Sequence, residues 1–131
     1  MAMVIQQLCE AETRRVVVAR LEVAASAWQR AVGLMGRSSL AEDAGLWLQP
    51  CNGVHTFFLR FPLDLLILDR EGCAVRLVSH LRPWRVFLPV RGGHTTVELP
   101  AGTLAAQGLR QGARYVLAPL PNPPPVLGGR E

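Results

Sequence analysis

The chain has 131 residues, half of them hydrophobic and 18% charged, so it reads as one globular domain with its own core and little room for a second. Net charge is +4, and all fourteen basic residues are arginines, spread from Arg14 to Arg130 with no run longer than Arg14-Arg15. That spread argues against the dense basic stripe of a nucleic-acid face, three cysteines without CxxC spacing argue against a disulfide framework, and no apolar run reaches the ~18 residues of a membrane span.

In chain order, residues 1–13 read as a polar lead-in without a clear period. They lack the basic start and long apolar run of a secretion signal. With Cys9, Cys51 and Cys73 expected as thiols, the expected location is the cytoplasm. Residues 14–24 are rich in β-branched side chains and alternate Arg20 and Glu22 with Leu21 and Val23, which is strand patterning. Ser26 is suited to cap a helix. Trp28, Val32 and Met35 then fall at i, i+4 and i+7, one face of a helix of about three turns ending near Gly36.

Residues 45–50 form a short strand closed by Pro50, and Asn52-Gly53 is a turn signal. Residues 54–61 read as a strand interrupted by Pro62, and 63–69 as a central strand apolar on both faces. The turn at 69–72 joins it to a strand over 73–80 as a hairpin. Residues 81–93, with Pro83, Pro89 and Gly92-Gly93, read as a long excursion. A strand follows over 94–100, then a short helix capped by Thr103, then a last strand over 114–120. The expected fold is α+β, mainly β: a compact antiparallel β-barrel-like domain over 14–119, of about seven strands with one packed helix and one short helix. The Pro- and Gly-rich tail, 120–131, is expected to be disordered.

The polar residues embedded in residues 51–69 are the natural place to look for chemistry, because polar groups among so many apolar ones must be paired, lie in a pocket, or be costly. Cys51 and His55 are four residues apart, which on one extended strand is ~13 Å and too far for a nucleophile–base pair. No His or Cys pair has the short spacing of a zinc site, so no metal and no cofactor is expected. Asp64 shares strand parity with Leu66 and Leu68, and on that apolar face it needs a partner, with Arg30, Arg37 and Arg60 the arginines considered. Asp69 and Glu71 fit a solvated hairpin turn. Arg82, Trp84 and Arg85 stand together in the Pro-bounded excursion, either as an exposed recognition element or with Trp84 folded over a barrel mouth.

Five ordered motifs give a family resemblance. RAVGLMGR (30–37), CxxVHTF (51–57), RFPLDLLILDREG (60–72), LRPWR (81–85) and VELPAGxxxxxGLxxG (97–112) are similar to those of the DUF192 family, an uncharacterised domain of bacteria and archaea. The resemblance covers about residues 15–118. It implies a compact, largely antiparallel β-barrel-like domain with a packed helix, and no established activity; many relatives are exported. Two departures stand out. Phe58-Leu59 occupies the place where relatives tend to have Gly-Met, and Gly112-Ala113 the place where they often have Gly-Asp.

The preferred functional expectation is a non-catalytic module that binds a small ligand or a protein partner through His55, Arg60, Arg82, Trp84 and Arg85. The alternative is an enzyme that uses His55 with Asp64 or Glu98 as an acid–base pair. A basic nucleic-acid-binding domain is third, so the expected partner is a small molecule or a protein, with nucleic acid and membrane disfavoured. Because His55 and Arg60 are an odd number of residues apart, one is expected to line the site with Arg82 and Trp84. The other is expected to be structural, with Arg60 paired to a carboxylate such as Asp64.

Overall fold

The structure, a computed structural model, describes residues 4–24, 26, 29 and 34–121. Wholly within the described residues lie these strands and one short helix, in order: β1 Val4–Glu10, β2 Val16–Ala24, β3 Ala44–Leu48, β4 Val54–His55, β5 Leu63–Leu68, β6 Ala74–Leu81, β7 Val86–Phe87, β8 Thr95–Pro100, α1 Thr103–Ala106 and β9 Tyr115–Pro119. Seven of the strands form one sheet in the order β6-β5-β8-β3-β2-β1-β9, curled into a half-barrel. The other two, β4 and β7, make a separate two-residue ladder that pairs Val54 with Phe87 and His55 with Val86.

All six residues of β5 are buried, which explains its unbroken apolar reading. Its side chains alternate between two cores. Leu66 and Leu68 join Leu21, Trp47, Val97 and Tyr115 on one face. Leu63, Leu65 and Ile67 join Leu34, Leu46 and Leu59 on the other. That second face is roofed by the irregular segments around 34–40, 51–61 and 86–90, and these segments carry the candidate site.

Three features depart from the sequence expectation. Residues 4–10, expected in the lead-in, form β1, which lies between β2 and β9 and buries Leu8, Cys9 and Glu10. Gln6 and Gln7 obscured its apolar pattern. β2 and β3 pair in parallel, whereas antiparallel pairing was expected throughout. The long 25–43 connection supplies the crossover that a parallel pair requires. Residues 54–61, expected as one strand, are strand only at Val54–His55, because Thr56 and Phe58 turn the chain.

The expected helix after Ser26 lies largely outside the described residues. Its start conforms, since Ser26 Oγ accepts the Gln29 N–H at 3.0 Å and Gln29 Oε1 accepts the Ser26 N–H at 3.2 Å, a reciprocal cap. The tail beyond residue 121 lies outside them too. No helix among the described residues is long and apolar enough to cross a membrane.

At one end the sheet's edges meet. Cys73 bridges Arg114, the Ala74 N–H donates to Ala113 O at 2.8 Å, and the Tyr115 N–H donates to Gly72 O at 2.9 Å. The hairpin before β6 is tied by Asp69, whose Oδ1 accepts the N–H groups of Glu71 and Cys73, each at 2.9 Å.

Candidate functional site

Thr56 is fully buried and joins two loops. Its N–H donates to Arg85 O and its carbonyl accepts the Trp84 N–H, both at 2.8 Å. Its hydroxyl donates to Arg82 O at 2.6 Å and accepts the Arg85 N–H at 2.8 Å. One residue thus clamps the 82–85 loop onto the 55–59 turn with four hydrogen bonds.

The clamp presents a row of rings. His55 stacks on Phe57 with centroids 5.1 Å apart, Phe57 lies 5.9 Å from Trp84, and Phe58 meets Trp84 edge-on at 4.8 Å. Phe58 and Trp84 both sit in the left-handed region, at φ 66° and 62°. For non-glycine residues this costs of order 1–2 kcal/mol each. The rings are nonetheless largely in solvent, Phe58 at 62% and Trp84 at 56% exposure, and Val86 and Leu88 extend the patch at 58% and 72%. Of eight exposed large hydrophobics among the described residues, five are here, counting Phe57.

Charge is segregated in the same place. Residues 52–62 and 80–94 contain Arg60, Arg82, Arg85 and Arg91, all exposed, and no Asp or Glu. The whole chain has fourteen arginines against ten acids, so outside these two segments ten arginines balance ten acids. The excess of four arginines over acids therefore lies within these two segments, together with all three histidines. Beside the rings an open cleft of about 380 Å³ is lined by Val78, His80, Leu81, Arg82, Arg85 and Val86.

The two candidate acids lie elsewhere. Asp64 is fully buried. Its Oδ1 accepts the His80 N–H at 2.9 Å, and its Oδ2 accepts the N–H groups of Gly102 and Leu104 at 3.0 and 2.9 Å. It holds a bulged part of β6, where His80 has φ 55°, and the start of α1. The cap of α1 is therefore Gly102 with a distant carboxylate, in place of the expected Thr103. Among the described residues no arginine pairs with Asp64: Arg60 is exposed, Arg37 makes a two-pronged pair with Glu22 at 3.0 and 2.9 Å, and Arg30 lies outside them. The expected Arg60–Asp64 pair does not form, because backbone donors already fill the carboxylate.

Glu98 is buried on the roofed face of β8, opposite Leu46 and Leu65. Its Oε1 has no hydrogen-bond partner among the described residues. Burial pushes its carboxyl up to about 7, and the nearby Arg37 guanidinium opposes the shift. His55, by contrast, is exposed on β4, where its Nδ1 accepts the Phe57 N–H at 3.3 Å. Neither Asp64 nor Glu98 bonds to it. The ionisable neighbour of Asp64 is His80, with Nδ1 4.0 Å from Oδ1. Among the described residues no three His, Cys, Asp or Glu side chains gather where a metal ion could be held.

The family model DUF192, described as an uncharacterized ACR, matches residues 8–117. The chain belongs to the DUF192 family. A UPF0127 protein of Pyrococcus abyssi is 31% identical to it over 88 residues, which span 63% of this chain and 73% of that protein. Two crystal structures share the fold. One is a protein of unknown function from Novosphingobium aromaticivorans, with TM-score 0.73, 21% identity, and coverage of 87% of this chain and 84% of that one. The other, from Sinorhizobium meliloti, is described as a candidate transcription regulator and has TM-score 0.77, 22% identity, and coverage of 89% and 96%. At these identities the two structures speak to fold alone.

Within this DUF192 chain, the structure gathers His55, Trp84, Arg82 and Arg85 on one face, with Arg60 on the adjoining turn. It leaves Asp64 and Glu98 outside. Sequence reasoning missed Thr56, Phe57 and Phe58 as site residues. Phe57 and Phe58 read as strand core, and a hydroxyl between a histidine and a phenylalanine carries no signal of its own. The available hint was Phe58 in a place where relatives tend to have glycine.

Proposed function

We propose that this DUF192 chain is a non-catalytic binding module whose working surface is the aromatic and arginine face on β4 and β7. One observation carries the proposal: two exposed aromatic residues, Phe58 and Trp84, are held at positive φ by a buried clamp centred on Thr56. Exposed rings contribute little to the fold they sit on, so strain spent on fixing them is explained when their arrangement is used by something else. The four arginines add forks for carboxylate or phosphate oxygens, which suits an anionic ligand or partner. A reducing cytoplasm suits the thiols of Cys9, Cys51 and Cys73.

Titration of isotope-labelled full-length chain with small carboxylates, phosphates and aromatic acids, followed by amide NMR, tests the proposal. Perturbations are expected at His55, Phe57, Arg82, Trp84 and Arg85. Perturbations confined to other parts of the sheet would remove this face from consideration.

A further inference from the structure

Of the polar groups outside the aromatic face, three have local explanations: Asp64 caps a helix, Asp69 ties a hairpin, and the Arg37–Glu22 pair holds the roof segment to β2. The face itself has none, and its chemistry narrows its occupant. We infer, resting on the binding role proposed above, that the occupant is a protein segment that presents carboxylates to Arg82 and Arg85 and a bulky apolar side chain to Phe58 and Trp84.

Four observations lead there. The surface is open, and its cleft does not enclose a ligand; small molecules are held in sites that bury most of their surface. The rings contact one another, His55 stacked on Phe57 and Phe58 set edge-on to Trp84, so they form one contiguous cluster and not a series of separated platforms for successive bases. Among the described residues the most exposed large apolar side chain is the aliphatic Leu88, two residues from Val86. Such groups are buried by apolar side chains. Lastly, the geometry is fixed in advance by the Thr56 clamp. A fluid lipid surface requires no preset arrangement, whereas a shaped protein segment gains affinity from one. Trp and Arg clustered with other aromatics are also the residue types that dominate protein interfaces. Two segments with four exposed arginines and no acid favour an acidic segment and repel basic ones.

A display library of random linear peptides, panned on the full-length chain, tests this. Enriched sequences are expected to combine Asp or Glu with a large apolar residue. Synthetic copies should bind about 30-fold more weakly to Trp84→Ala and to Arg85→Ala, two variants expected to melt like the wild type. Arg70→Ala, which removes the same charge from the distant hairpin, should leave affinity unchanged. Enrichment without acidic residues, or equal losses in Arg70→Ala and Arg85→Ala, would overturn the inference. Phosphatidylglycerol vesicles and an oligo-dT strand serve as parallel probes. If either binds in a Trp84-dependent way while no acidic peptide is enriched, the protein-segment inference falls and the binding role of the face stands. If peptides, vesicles and oligonucleotide all fail to bind, the protein-segment inference falls, and the small-anion titration above decides the binding role.

Discussion

At the scale of single residues, this molecule places its buried polar groups to organise backbone. Thr56 and Asp64 each gather main-chain groups from segments distant in sequence. Thr56→Val keeps the shape and deletes the hydroxyl, leaving the Arg85 N–H and Arg82 carbonyl short of a partner. A loss of about 2 kcal/mol is expected in denaturant unfolding, with faster hydrogen exchange at the Arg85 amide. Glu98 is the exception, a buried carboxyl that organises nothing among the described residues. Its folded pKa of about 7 stands above the ordinary 4.5, so the folded state holds a proton that the unfolded state releases between those values. Stability should therefore be full below about pH 4.5, as far as this group is concerned, fall as pH rises to about 7, and level off above. Glu98→Gln should abolish that fall. Above pH 7 it should be more stable than the wild type, by about 3 kcal/mol at most, in urea titrations across pH.

At the scale of elements, the two edges of the sheet are joined at one end by a backbone contact too tight for any side chain but hydrogen. Gly72 has φ 90°, and a Cβ there would lie 2.7 Å from Tyr115 O. Gly72→Ala should cost at least about 2 kcal/mol and detach the start of β9 from the hairpin before β6, with raised exchange at the Tyr115 amide as the sign. β2, β5, β6 and β8 are legible in sequence because apolar or β-branched residues dominate them, and in β5 the unbroken apolar run matches the burial of every residue. The hairpin at Asp69 was legible because its turn chemistry is local. β1 was not, since Gln6 and Gln7 sit in a strand whose burial is decided by β9, over a hundred residues away. The site was half legible. His55, Arg82, Trp84 and Arg85 stand out as residue types, but the turn that unites them rests on positive φ at Phe58 and Trp84, which apolar sequence conceals. The partner of Asp64 was misread because backbone N–H groups carry no residue identity.

At the scale of the whole molecule, a neutral β scaffold carries one charged and apolar face, and the two are separable. Substitutions at Trp84 or Arg85 should alter recognition and spare the fold, whereas removing β1 should remove the fold itself. A chain that begins at residue 11 loses the strand that links β2 to β9 and should show no cooperative thermal transition by circular dichroism. Retention of a sharp transition would mean that β1 is dispensable.

The neighbouring positions of β1 and β9 also bear on synthesis. Within this sheet β1 is synthesised well before its neighbour β9, Tyr115–Pro119, so until β9 emerges β1 has no neighbour on one side. Every nascent chain passes through a period with an open strand edge, a template for pairing with another copy. Stalled or truncated products that end before residue 115 should therefore be the aggregating species in the cell, and the few codons for β9 decide when that hazard ends.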